Sequence, residues 1–119
     1  MHNFKELRVW KESRSFVKDV YSIGATFPAD ERFGITSQMR RAAVSIPLNI
    51  AEGAGRTGSL DFGRFIDMAY GSAAEVETLV YLCADLNFID DETQNNLVIK
   101  VNDLQRMLKG LAQRLRQPV

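Results

Sequence analysis

The chain has 119 residues, 45% of them hydrophobic and 25% charged, and its 15 basic and 15 acidic side chains leave no formal net charge. That is the size and composition of one globular domain with a core of its own, and no run approaches the roughly 18 apolar residues that a membrane span needs. The single cysteine, Cys83, excludes an internal disulfide, and the only histidine, His2, sits near the terminus, which removes His-based catalysis and the common zinc sites.

Charged residues Lys5, Glu6, Arg8, Lys11 and Glu12 break up the first segment, so no signal peptide is read and a cytoplasmic location is expected. Helical spacing then predicts a first helix over 7–26, stopped by Phe27-Pro28 because the residue before a proline is pushed out of the helical region. Val9, Phe16, Val20, Ile23 and Phe27 form one apolar line, and Leu7, Trp10, Val17 and Tyr21 form a second about 100° away. One bundle neighbour needs only one such line, so the second points to a partner subunit. Lys11, Arg14 and Lys18 share the opposite face.

After a loop over 28–34, Thr36 or Ser37 is expected to cap a second helix. Met39, Ala42, Ala43, Ile46 and Ile50 make its buried stripe. Beside it, Gln38, Arg41, Ser45, Asn49, Glu52 and Arg56 recur at steps of three and four, an ordered polar column along the edge of the buried face. Pro47 removes the bond to the Ala43 carbonyl and crowds that turn, so this helix is expected to continue with a bend at a cost on the order of 3 kcal/mol. A strand fits worse, because the flanks keep helical period.

GAGRTG at 53–58 is a literal G-x-G-x-x-G. It lacks the preceding strand that a dinucleotide loop requires, so it reads as a helix terminus and turn. Ser59 is expected to cap a third helix over 59–86, seamed by Phe65, Ala69, Ser72, Val76, Leu79, Cys83 and Leu86, its arc extended by Ile66, Ala73 and Val80 on one side and by Met68 and Leu82 on the other, with Gly71 among the small residues that permit close helix approach. Glu75 falls at the margin of that surface, between Met68 and Leu82, and calls for a basic partner, Arg41 first and Arg56 second. Cys83, in LVYLCADL, reads as buried filler. Asp90 caps a fourth helix whose Leu97, Val101, Leu104, Leu108, Leu111 and Leu115 follow a four-three seam.

Charge alternates along the chain. Lys5, Arg8, Lys11, Arg14 and Lys18 against Glu6 and Glu12 leave residues 1–18 at +3, eight acids against Arg64 leave 57–99 at −7, and 100–119 return to +4. Such alternation suits packed helices or subunits and leaves basic surfaces for a polyanion. The expected fold is all-α, an antiparallel up-down-up-down four-helix bundle occupying 1–119 as one domain.

FKELRVWKES, then FP followed by ERFGITSQMRRAAVSIPLNIAEGAGR, then FGRFIDMAYGSAAEVETL and a leucine-rich last helix carry a resemblance over nearly the whole chain. The sequence resembles the S23-type proteins encoded by intervening sequences of some bacterial 23S ribosomal RNA genes. That resemblance implies the same bundle and assembly into a homopentameric ring, since relatives of this fold form such rings, one of them binding nucleic acid and a reverse transcriptase. It implies association with RNA and brings no catalytic residue.

The expected role is therefore a non-enzymatic oligomeric module binding ribosomal or other structured RNA through Lys11, Arg14, Lys18, Arg40, Lys109 and Arg116, with neither cofactor nor metal. For each of these cations the plain alternative is a solvated face. Net neutrality and the lack of an aromatic-plus-basic stacking platform weigh against the RNA reading. A protein-binding scaffold with no nucleic-acid role is the alternative. Glu52 and Glu75 as an acid/base or metal pair is the weakest reading. Gln38, Arg41, Ser45, Asn49, Glu52, Arg56 and Glu75 are assigned instead to a structural network registering the second helix on the third or on a neighbouring subunit.

Overall fold

The computed structural model describes residues 3–118 and shows no strand among them, so the reading of His2 lies outside the described residues. Four helices carry the chain: α1 (Arg8–Gly24), α2 (Ile35–Ala54), α3 (Ser59–Asp85) and α4 (Asp91–Leu115), with single 3-10 turns at Phe4–Glu6 and Ala29–Glu31. Each helix packs on the next in sequence, and α4 returns to α1 across the loosest seam of the bundle. Side-chain contacts fix the directions. Arg40 at the start of α2 donates to the Tyr21 carbonyl near the end of α1 at 2.9 Å. Arg116, just past the end of α4, reaches Asp67 and the Gly63 carbonyl in the first half of α3. Neighbours therefore run antiparallel, as short connections demand, and the molecule measures 50 × 23 × 19 Å.

The apolar stripes supply one continuous core. Met39, Ala42, Ala43, Ile46 and Ile50 on α2 and Leu97, Val101, Leu104, Leu108 and Leu111 on α4 are all buried. Each fully buried Leu or Ile stabilises the fold by about 1.5–3 kcal/mol before entropy is counted. On α1 the first apolar line is buried at Val9, Phe16, Val20 and Phe27, while the second is only half covered and ends at Tyr21, 44% exposed. On α3 the seam is rotated from the expected one. The expected flank of Ile66, Ala73 and Val80 joins Ala69, Val76, Leu79 and Cys83 inside, whereas Phe65 and Ser72 are half-buried and Leu86 and the other expected flank, Met68 and Leu82, are exposed. A helix gripped from two sides by α2 and α4 centres its widest arc between them, which spacing along one helix does not reveal.

Two caps differ from expectation. Gly34, not Thr36 or Ser37, is the N-cap of α2, and Thr36 is buried within the first turn, its methyl against Gly24. Gly58, not Ser59, is the N-cap of α3. In both cases the helix starts one to three residues before the expected capping side chain. Asp90 caps α4 as its sequence implies, accepting from the Thr93 amide at 2.8 Å. α3 ends in a Schellman turn: Asn87 takes φ 63°, its amide bonds the Ala84 carbonyl, and the Phe88 amide bonds that of Cys83 at 2.9 Å. Phe88 then meets Phe27 with ring centroids 5.5 Å apart, closing that end of the bundle.

Cys83 is buried, and desolvation, helped by the charge of Glu31, pushes its thiol up to about 11. The thiolate is the reactive form. Cys83 is therefore expected to resist a thiol reagent at pH 8 in the folded protein and to react at once when urea is added; rapid labelling of native protein would contradict this burial.

Candidate nucleic-acid interface and the polar column

Lys11, Arg14 and Lys18 project from the solvent side of α1, at i, i+3 and i+7, and all three are exposed. The acids of α1 point elsewhere: Glu12 pairs with Arg8 at 3.9 Å, and Asp19 turns to the α4 seam to meet Lys100 at 2.7 Å. The three cations thus form a ridge about 10 Å long, at 1.5 Å per residue. Next to it, toward α2, lies an apolar notch lined by Arg14, Val17, Val44, Pro47 and Leu48.

Aromatic rings support this face, which sequence reasoning missed. The Arg14 guanidinium lies 4.8 Å from the Trp10 ring centroid, and the Phe4 ring meets Trp10 edge-on with centroids 5.1 Å apart. Arg40 lies 4.6 Å over Tyr21. The i, i+4 spacing of Trp10 and Arg14 could have disclosed the first pair. The second joins two helices and had no local signal. Arg40 is the most embedded of the six cations: its Nε is buried with no hydrogen-bond partner, and it packs within 3.0 Å of where a side chain on Gly24 would begin.

The six candidate cations do not form one surface. Lys11, Arg14, Lys18 and Arg40 belong to the α1–α2 side, while Lys109 and Arg116 line a groove between α3 and α4 with Ile66, Tyr70 and Gln113, on the opposite side of the bundle. Arg116 is engaged by Asp67. Four helices in cyclic order place these two seams back to back.

The polar column separates into three parts. Within α2, Ser45 donates to the Ala42 carbonyl and Asn49 to the Ser45 carbonyl, both at 2.8 Å. At the corner, Arg56 meets Glu52 at 3.4 Å and Asp61 at 3.8 Å and lies 4.7 Å over Phe65. Gln38, Arg41, Ala42 and Ser45 line a cleft of about 370 Å³ on the α2–α3 seam, with Glu75 opposite. Arg41 and Glu75 are brought into one cleft but are not joined there by an ion pair, and Arg56 serves the corner instead. Glu52 stands three turns along α2, outside this cleft, so it and Glu75 do not converge. Among the described residues no group of three or more metal-ligating side chains converges, and no helix is long and apolar enough to cross a membrane.

A profile of the 23S rRNA-intervening sequence protein family matches residues 5–110. The chain belongs to that family. Among solved structures, the chain is similar to a protein of unknown function of the S23 ribosomal protein family from Bacteroides thetaiotaomicron, with a TM-score of 0.79 and 20% identity over 88% of this chain and 98% of that one. At such identity the likeness speaks for the fold. No curated protein matches the chain.

Proposed function

We propose that this protein is a non-enzymatic, self-associating module of the cytoplasm that binds structured RNA through the α1 ridge. The observation that carries the reading is the ridge itself: Lys11, Arg14 and Lys18 face solvent together while the neighbouring acids are engaged on the α4 side. Phosphates are the natural partners of such free cations, and each copy in an assembly adds its own ridge. Ribosomal RNA is the class the family's description points to, and five copies is the number the resemblance implies. Net neutrality makes the binding local to the ridge.

Nuclease-treated protein titrated into a labelled, hairpin-containing ribosomal RNA transcript at low salt tests this reading by fluorescence anisotropy. Replacing Lys11, Arg14 and Lys18 together by Ala is expected to weaken binding at least about tenfold and to flatten the logarithmic salt dependence by about one unit per cation removed. Lys109→Ala, on the far side of the bundle, should leave affinity unchanged. Absence of wild-type binding, or a triple variant that binds as wild type does, would refute the assignment. A scaffold that binds only protein is the second reading, favoured by exposed Leu48, Met68, Leu82 and Leu86; copurification of a stoichiometric protein free of RNA would support it.

A further inference from the structure

Trp10, Arg14, Val17 and Tyr21 stand at i, i+4, i+7 and i+11, which places them in one row along α1. Beside that row runs α2, with Arg40 over Tyr21 at 4.6 Å and with Val44, Pro47 and Leu48 closing on Val17 and Arg14. The seam therefore has an order along its length. A guanidinium held on an aromatic ring marks each end, Arg40 on Tyr21 and Arg14 on Trp10, and the middle is apolar. That middle is a notch of about 230 Å³. Val17, Val44 and Pro47 are half-buried and Leu48 is 61% exposed, so its walls stand open to solvent.

Size and charge select what fills it. A cavity of roughly 150 Å³ already holds a benzene ring, so the notch suits one group of one or two rings rather than the row of apolar anchors that a docked helix brings. Its rim is cationic. Arg14 forms part of the wall, Lys11 and Lys18 continue along the same exposed ridge, and no acid lines the notch. A flat ring joined to a negative charge is what a nucleotide offers. Within a continuous A-form duplex that ring is out of reach, because its faces are stacked and the major groove is too deep and narrow for side chains to read. Only an unpaired base can turn outward.

We infer that the α1–α2 notch receives a single unpaired base, so that the protein selects RNA carrying a bulged or looped-out nucleotide over a continuous duplex; this rests on the RNA reading above and adds which RNA is bound. Lys11, Arg14 and Lys18 hold the phosphates on either side of that nucleotide. The second apolar line of α1, which by spacing alone pointed to a partner subunit, thereby has an occupant at Val17.

Two RNAs test the assignment: a blunt, fully paired duplex, and the same duplex with one bulged 2-aminopurine. Wild-type full chain is expected to bind the bulged RNA about tenfold more tightly, with the 2-aminopurine fluorescence rising as the base leaves the stack. Leu48→Gln, at an exposed position where circular dichroism should not change, is expected to remove most of that preference and the fluorescence rise. It takes away no cation, so affinity for the paired duplex and its salt dependence should stay at wild-type values. The triple ridge variant should instead weaken both RNAs in parallel. Equal wild-type affinity for the two duplexes, or a bulge preference that survives Leu48→Gln, would overturn the notch assignment and leave RNA binding by the ridge standing. Binding of neither RNA would overturn both, as would capture of an acidic, leucine-bearing peptide in place of RNA.

Discussion

Gly53→Ala is expected to destabilise the fold by at least about 2 kcal/mol, although alanine is the better helix former by about 1 kcal/mol. Gly53 is buried in the last turn of α2. A Cβ there would lie 2.6 Å from the Phe65 Cβ, 2.9 Å from Phe62 Cδ1 and 3.2 Å from the Phe62 carbonyl oxygen. Two of these three atoms are tied to the α3 backbone, so no rotamer change makes room. The helices must move apart at their shared corner, loosening Phe62 and the Arg56 stack over Phe65. Melting should fall by roughly 6–10 °C. Gly63→Ala is the control: its Cβ would find Arg116 at 3.7 Å, an ordinary contact, and the substitution should be neutral or stabilising. Equal melting temperatures for wild type and Gly53→Ala would mean that the corner is looser than these distances state.

Pro47→Ala should act in the opposite direction, raising stability by about 1–2 kcal/mol. α2 runs unbroken from Ile35 to Ala54 through Pro47, held by Ile46 and Ile50, which are both fully buried. Pro47 has no N–H, so the Ala43 carbonyl lacks its helical donor, and interior proline costs a helix about 3 kcal/mol. Alanine restores that bond. Against the gain stand the greater freedom of the unfolded chain, about 0.4–1 kcal/mol, and the lost packing of a half-buried ring. Urea titration should show the midpoint rising with an unchanged slope. A lower midpoint would show that α2 is shaped around the proline, and that the notch it lines with Arg14, Val17, Val44 and Leu48 depends on it.

The helices were legible because each carries a strong period. The α2 stripe and the leucine seam of α4 as far as Leu111 are buried as spacing implied, with Leu115 only half-buried at the helix end, and the Asp90 cap is where the sequence places it. The GAGRTG run is a helix end and turn, with none of its glycines at positive φ. The cap positions of α2 and α3 and the rotation of the α3 seam were not legible, since each is settled by what a neighbouring helix covers. Much of the candidate site was hidden for the same reason. Lys11, Arg14 and Lys18 share a helix, so their common face followed from spacing. Lys109 and Arg116 could be grouped with them only by sign, and the fold sends them to the far side.

What the residues determined by themselves is local: four amphipathic helices, the exposed basic ridge of α1, and a polar column beside the buried stripe of α2. Periodicity acts within a single helix and needs no partner to be read. Tertiary structure decided which seam faces which, and thereby that Arg56 closes the α2–α3 corner while Arg41 and Glu75 share a cleft without pairing. Whether two charges meet depends on the register and separation of two helices, set by close contacts such as Gly53 against Phe62 and Phe65. No spacing along one chain encodes that distance.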